Sequence, residues 1–97
     1  MTIVRVFRAR PKPGKAALLE AQMLEHAIPG VAAAEGLVSY TAGTPHGDTG
    51  EFLMISVWTD LDAVRAFAGE EYERPVLYGD TAELIEEMWL HHYEGVA

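Results

Sequence analysis

The stretch EFLMISVWTDLDAVRAFAG, residues 51–69, changes character at its middle. Its first half contains seven consecutive residues, Phe52 to Trp58, that are apolar except for Ser56, as in a strand that packs on both faces. Its second half begins with Thr59 or Asp60 as a helix N-cap and continues with apolar residues at helical spacing. Such a strand needs a packed layer on each side of its sheet.

Six elements are predicted, in the order strand, helix, strand, strand, helix, strand. They are residues 2–10, 15–28, 36–43, the two halves of 51–69, and the later part of 83–96. Pro29 and Gly30 are expected to end the first helix, and 44–50 to form a hairpin turn. The first half of 83–96 also fits a helix, so the start of the last strand stays open. This order predicts one α+β domain over residues 1–97 with the ferredoxin-like βαββαβ fold and a four-stranded antiparallel sheet.

The first strand is also apolar on both faces, with Ile3 and Phe7 on one side and Val4 and Val6 on the other. Two helices cover only one face of a sheet, and monomers rarely leave a large apolar face bare. We therefore expect the second face to pack against the sheet of an identical subunit, which gives a homodimer. A chain this short also buries a modest core, so association would stabilise it.

Composition excludes several classes of function. The chain carries a net charge of −8, which argues against nucleic-acid binding, and it has no cysteine for a disulfide, a thiolate nucleophile or a metal. No apolar run approaches the roughly 18 residues of a membrane span, and no signal peptide is evident, so we expect a cytoplasmic protein without a membrane partner. Its four histidines lack metal-ligand spacing, so no metal site is expected. Residues 1–15 are basic and the remainder acidic. This favours a basic first strand beside an acidic last one over the alternative of a basic arm that binds an acidic partner.

Five segments of the chain form a recognisable series: RPKPGK (10–15), PG (29–30), GLVSY (36–40), GEFLMISVWTDLDAVRAF (50–67) and HHYEGV (91–96). In order and spacing they resemble the antibiotic biosynthesis monooxygenase family of dimeric α+β barrels. The resemblance covers nearly the whole chain and implies a sheet-to-sheet homodimer with one pocket per subunit, between sheet and helices. The family includes oxygenases without a cofactor that act on polycyclic phenols or quinols, haem-degrading enzymes, and proteins with no assigned reaction.

Matching individual positions narrows what the resemblance implies. The haem-degrading branch calls for an Asn on the first strand, a Trp in the second helix and a His after it. Phe7 and Phe67 stand at the first two positions, and residues 68–90 contain no histidine, so haem degradation is not expected. In the branch that oxidises aromatic polyketides, Trp58 matches the family's Trp, but Met54 stands where that branch has an Asn.

The row of alternate residues on the third strand supplies candidate pocket residues. Met54, Ser56 and Trp58 share one face of this strand, and the resemblance implies that this face looks into the pocket. There, Trp58 would stack on a planar ligand and donate its indole N–H. The alternative is that Trp58 fills a corner of the core where strand meets helix. Phe67 and Tyr72 complete the predicted apolar lining.

The first and last strands supply the candidate polar groups. Arg5 lies on the same face as Phe7, where it would anchor a carboxylate or phenolate, although pairing with Glu86 or Glu87 is the favoured alternative. His91 and His92 point to opposite faces of a strand, so only one of them can enter the pocket as a proton acceptor. The alternative for each is a hydrogen-bonded or exposed strand histidine.

The resemblance implies oxygenation, without a cofactor, of a small phenol, quinol or polyketide-like aromatic, and these residues are the candidates for its site. Binding, deprotonation and exclusion of water are the only tasks such a protein must perform. Two other functions fit the same fold: a non-enzymatic module that binds a small molecule or a partner, and an isomerase of a small metabolite. The fold alone does not choose among the three.

Overall fold

The computed structural model describes residues 1–97. The strands are β1 (Ile3–Pro11), β2 (Leu37–Gly43), β3 (Phe52–Trp58) and β4 (Ile85–Glu94). The helices are α1 (Ala16–Gln22), α2 (Ile28–Ala32), α3 (Leu61–Ala68) and α4 (Thr81–Leu84), and a π-helical segment (Met23–Ala27) joins α1 to α2. None of the helices is long and apolar enough to cross a membrane.

The four strands form one antiparallel sheet in the order β2-β3-β1-β4. The predicted α+β, ferredoxin-like arrangement is therefore confirmed, with α4 as one added turn before the last strand. The open point about residues 83–96 is resolved, since β4 begins at Ile85 and the turn of helix ends at Leu84. Asp60 is the cap of α3, because its Oδ1 accepts a hydrogen bond from the Ala63 N–H at 2.8 Å.

The expectation that Pro29 and Gly30 end the first helix is wrong. Helical structure continues through them to Ala32, after the π-helical segment. Proline lacks an N–H and its ring clashes with the carbonyl four residues before it in a regular α-helix. The wider turn of the π-helical segment precedes Pro29 and sets it at the start of α2, where a proline is tolerated.

The two faces of the sheet differ in burial. On the face toward the helices, Ala9, Phe52, Ser56 and Trp58 are buried. On the opposite face, which we call the open face, Val4, Val6, Ile55 and Val57 are only half-buried. The core thus lies on the helix side, as the two-helix prediction requires.

Candidate functional site

A cavity lies between the sheet and the helices. Its volume is about 80 Å³, several times the roughly 10–15 Å³ that one water molecule needs. Of the 18 residues that line it, 13 are hydrophobic. An apolar cavity with few polar groups is typical of a site for a small organic ligand.

Alternate residues of two neighbouring strands form the floor of this cavity. Arg5 and Phe7 of β1 lie opposite Ser56 and Met54 of β3, and all four line the cavity. Residues directly opposite each other in an antiparallel pair point to the same face of the sheet, so the register fixes this row. Phe67 of α3 also lines the cavity. Five predicted ligand-binding residues are therefore brought together.

The roof was not predicted from the sequence. It includes Gln22, Met23 and Ala27, which lie at or within the π-helical segment, and residues 75–78 from the irregular segment before α4. π-Helical turns are frequent at functional sites. The only sequence signal near these roof residues is the Pro29-Gly30 pair. The sequence analysis interpreted this pair as the end of the helix, whereas the structure has a widened helical turn before it.

Residues 75–78 are held over the cavity by contacts of Tyr78, at their C-terminal end. The carbonyl of Tyr78 accepts a hydrogen bond from the Thr81 hydroxyl at 2.5 Å, and the Tyr78 ring stacks near His26 with centroids 6.3 Å apart. Its hydroxyl lies against Gly30, so close that a Cβ at this position would overlap it. Gly30 therefore admits the Tyr78 side chain to the roof, and its small size matters more than its flexibility.

Arg5 is the one charged residue of the cavity wall, and it is 6% exposed. Its Nη1 donates to the Tyr72 carbonyl at 2.7 Å and lies 2.9 Å from His92 Nε2, and its Nη2 donates to the Arg74 carbonyl at 3.3 Å. These bonds use three of the five guanidinium N–H groups. Arg5 forms no salt bridge. Burial lowers the pKa of Arg5 to about 10, so it remains a cation at neutral pH.

The favoured pairing of Arg5 with Glu86 or Glu87 is wrong. Arg10 makes these contacts instead, with its Nε 3.3 Å from Glu86 Oε2 and its Nη2 on Glu87. The cause is the register of β1 with β4, which sets Arg10 opposite Glu87 and Arg5 opposite His92. The buried cation is consequently left without a carboxylate.

Trp58 does not line the cavity. It is 0% exposed, its ring centroid lies 5.0 Å from that of Phe67, and its Nε1–H donates to Ser56 Oγ at 2.9 Å. Direct stacking on a ligand, as predicted, is inconsistent with this position, and the alternative of a core corner fits it. Trp58 touches the cavity only through Phe67 and Ser56, which do line it.

His91 and His92 also lie outside the cavity wall. His92 is on the helix-side face opposite Arg5, and His91 is on the open face opposite Val6. Because a guanidinium can only donate, His92 Nε2 must accept from Arg5, which leaves the ring proton on Nδ1. Burial lowers the pKa of His92, and the Arg5 charge lowers it further, against an opposing effect of Glu73. His92 Nε2 is thus already engaged by Arg5, and the role of a histidine as the base stays a prediction.

Tyr72 is the last predicted residue outside the wall. With Glu73, Leu90 and Tyr93, Tyr72 and the two histidines line a separate polar cleft beside β4. The Tyr72 ring packs edge-on against the His92 ring, with centroids 5.3 Å apart. Its backbone carbonyl, and not its ring, connects it to Arg5.

Several solved structures share this fold at low sequence identity. Rv0793 from Mycobacterium tuberculosis is 18% identical with a TM-score of 0.78, over 100% of this chain and 97% of that one. The cofactor-independent oxygenase SnoaB from Streptomyces nogalater is 18% identical with a TM-score of 0.74, over 97% and 92%. The haem-degrading protein Rv3592 from Mycobacterium tuberculosis is 18% identical with a TM-score of 0.69, over 100% and 96%. At this level of identity the likeness establishes the fold alone.

The sequence itself matches one family model. The model of antibiotic biosynthesis monooxygenase matches residues 2–74, which include β1, the first helix, the β2–β3 hairpin, α3 and the segment bound to Arg5. No curated protein matches the chain. The family match spans most of the chain and agrees with the fold, so this protein belongs to the antibiotic biosynthesis monooxygenase family.

Proposed function

We propose that this protein is a monooxygenase that works without a cofactor and oxidises a small phenol, quinol or polyketide-like aromatic in the cavity. Membership of the family supports the reaction class. The observation that carries the choice of substrate is Arg5, a buried cation without a carboxylate partner in a wall that is otherwise mostly apolar. A planar apolar ligand with one anionic oxygen matches both properties.

Arg5 also supplies the means of deprotonation. A nearby positive charge stabilises the charged form of an acid and lowers its pKa. A phenol bound beside Arg5 would therefore lose its proton to solvent more readily, without the histidine base that the sequence analysis predicted. Burial of the guanidinium strengthens this effect, since charges interact more strongly away from water.

The phenolate then reacts with O₂ and needs no further group. It passes one electron to O₂, and the resulting radical pair combines to form a peroxide on a ring carbon. The peroxide takes up the proton that the phenol gave to solvent, and the departing hydroxide leaves with the ring proton as one water. A second C=O forms, so a phenol and O₂ become a quinone and water. One oxygen atom enters the product, and the other leaves as water with both protons. The apolar wall excludes solvent from this sequence of steps, and Arg5 holds the anion in place.

The proposal includes a homodimer that buries the open face. Val4, Val6, Ile55 and Val57 form a continuous apolar row there, because Val4 pairs with Val57 and Val6 with Ile55. Interfaces of stable homodimers commonly bury roughly 2,000 Å² or more and are more hydrophobic than other surfaces. The sheet of a second copy is the cover that this row best fits.

A non-enzymatic binding module is the second candidate. It is favoured by one observation, which is that the cavity wall contains no carboxylate or histidine that could serve as a base. The same observation weighs against an isomerase, which must move a proton on and off carbon.

Oxygen uptake with a panel of phenols and quinols, in the presence of catalase, tests the proposal. We expect one O₂ consumed per quinone formed, and one ¹⁸O atom from ¹⁸O₂ in each product molecule. Arg5→Gln should abolish the activity, while the matched variant Arg65→Gln, which alters a partly exposed arginine of α3 outside the cavity wall, should keep it. Binding of the phenols without any protein-dependent uptake would favour the binding module instead.

A further inference from the structure

Arg5 and Ser56 are neighbours at one end of the cavity floor. They lie directly opposite each other on β1 and β3, where Cβ atoms of paired residues are roughly 4.5–5.5 Å apart. Both line the cavity, and both are nearly fully buried, at 6% and 3% exposure. A ligand that lies against this end of the floor therefore contacts both residues.

The hydroxyl of Ser56 has an unused donor. Ser56 Oγ accepts the hydrogen bond from Trp58 Nε1–H at 2.9 Å, and it donates none within the protein. A serine hydroxyl carries one hydrogen, so this O–H remains available to a ligand in the cavity. The bond from Trp58 fixes the position of Oγ, and a hydroxyl that accepts one hydrogen bond is polarised to donate another.

We propose that Ser56 is a second hydrogen-bond donor to the anionic oxygen of the ligand, beside Arg5, and that Trp58 is a positioning residue that acts through Ser56. This inference rests on the proposed function in taking the cavity as the substrate site. Trp58 is 0% exposed and absent from the cavity wall, so it acts without touching the ligand. Met54, the next residue along the same row, has no side-chain donor that could replace Ser56.

The pair defines a class of ligand. One end of the ligand carries a single oxyanion, such as a phenolate, enolate or carboxylate, that accepts from a guanidinium and a hydroxyl together. The remainder is apolar and planar, since Phe7, Met54 and Phe67 form the adjoining wall. A ligand with a second charge at its far end would place that charge among apolar residues, and it should be rejected.

Calorimetric binding of 2-naphthoate and of its neutral isostere 2-naphthamide tests the role of Ser56. Hydrogen bonds to a charged group are stronger than bonds to a neutral one. Ser56→Ala should therefore weaken 2-naphthoate binding by about tenfold or more and reduce the preference for naphthoate over naphthamide by about fivefold. Ser39→Ala, at an exposed serine of β2, is the matched control and should change neither value. Ser56→Thr keeps the hydroxyl and should restore most of the preference.

A double-mutant cycle with Trp58→Phe separates positioning from mere packing. Each variant is first shown to be folded by its thermal melting curve. If Trp58 acts through Ser56, Trp58→Phe lowers the naphthoate preference in wild type but lowers it no further in the Ser56→Ala variant. If the two substitutions lower the naphthoate preference independently and additively, the positioning role of Trp58 is overturned. If Ser56→Ala weakens the binding of both probes equally, the donor role of Ser56 is overturned. Failure of 2-naphthoate to bind the wild-type protein would also overturn the donor role. Ser56-dependent binding without oxygen uptake by any phenol would instead reject the proposed reaction and leave this inference standing.

Discussion

The same two strands carry different chemistry on their two faces. On the helix-side face of β1 and β3, Arg5 and Ser56 are buried in a cavity and retain donors that the protein does not use. On the open face, Val6 and Ile55 pair across the same strands and form a half-buried apolar row. The alternation of side chains along a strand thus separates a candidate ligand site from a candidate association surface by a single residue step.

The arginines on the two faces also differ, because those on the open face contact a glutamate and the one on the helix side does not. Arg8 and Arg10 lie over the Trp89 ring at 4.8 and 5.6 Å, and each also contacts a glutamate, Arg8 through Glu51 at 3.1 Å. Ion pairs of partly exposed arginines contribute little to stability. Arg5 is buried and has only carbonyl and imidazole partners, which is the costlier arrangement. A missing carboxylate is informative at a buried position and would mean little on the surface.

The largest expected effect comes from a charge on the open face. Val6→Asp should disrupt the homodimer at a cost of about 5 kcal/mol or more, because a symmetric interface would bury two unpaired carboxylates. Sedimentation velocity at micromolar concentration should show a dimer for wild type and a monomer for the variant. Ala66→Asp, on the exposed side of α3, is the control and should remain dimeric. A stable wild-type monomer under these conditions would contradict the assignment of the open face.

Substitution of the two tryptophans compares how each face of the sheet contributes to stability. Trp58→Ala removes a fully buried ring and should lower the free energy of unfolding by about 3–5 kcal/mol. Trp89→Ala, on the half-buried open face, should cost less within a subunit and act mainly by weakening the dimer. Urea denaturation at several protein concentrations distinguishes the two variants. Only the loss of stability caused by Trp89→Ala should depend on protein concentration, because it arises from weaker dimerisation. If both variants lost the same stability at every protein concentration, the two faces would not differ in the way proposed.

A smaller effect is expected from Gly30→Ala in the roof. Alanine favours a helix over glycine by about 1 kcal/mol, but its Cβ would displace the Tyr78 hydroxyl. The displaced atoms are the end of a side chain that can move, so the free energy of unfolding should change by less than about 1 kcal/mol. The Tyr78 ring resonances should nonetheless shift, and 2-naphthoate should associate faster as the roof loosens. Unchanged Tyr78 resonances would show that the ring does not rest on Gly30 in solution.

The smallest effect concerns the pH dependence of stability. The pKa of His92 is lowered in the folded protein, so the unfolded chain binds more protons just below pH 6.5. The stabilising contribution of neutral His92 is therefore present above that pH and is lost as the pH falls toward the folded-state value. His92→Gln keeps an acceptor for Arg5 but does not titrate, so its stability should fall less with acid over this window. Identical profiles for the two proteins would show that His92 is not held neutral by burial and Arg5.

Residue periodicity was sufficient to predict the sheet, and together with the family resemblance it predicted the floor of the cavity. Alternation assigns Met54 and Ser56 to one face of β3, because the side-chain period of a strand is two. The register of β1 with β3 then places Phe7 on that same face. The same periodicity separates His91 from His92, although it does not tell which of them faces the helices. Only the pairing of β1 with β4, a contact between residues distant in sequence, decides that point.

The roof and the partners of the polar residues depend on contacts that local patterns do not encode. Pro29 and Gly30 normally end a helix, and here the preceding π-helical turn accommodates them. The partner of Arg5 changes from glutamate to histidine with the β1–β4 register. Trp58 has the expected face, but its depth in the core follows from the packing of Phe67 against it. In each case the outcome depends on neighbouring structure or strand register that the local pattern alone does not determine.

Titration of bound 2-naphthol tests most directly whether Arg5 stabilises an anion in the cavity. An apolar cavity alone raises the pKa of a phenol, whereas a buried cation beside it lowers that pKa, so the two effects have opposite signs. Ultraviolet absorbance of 2-naphthol at saturating protein should give a pKa at least about one unit below that of the free phenol, a stabilisation of the anion by about 1.4 kcal/mol. Arg5→Gln should reverse the sign of the shift. A bound 2-naphthol whose pKa equals or exceeds the free value in the wild-type protein would contradict the role of Arg5.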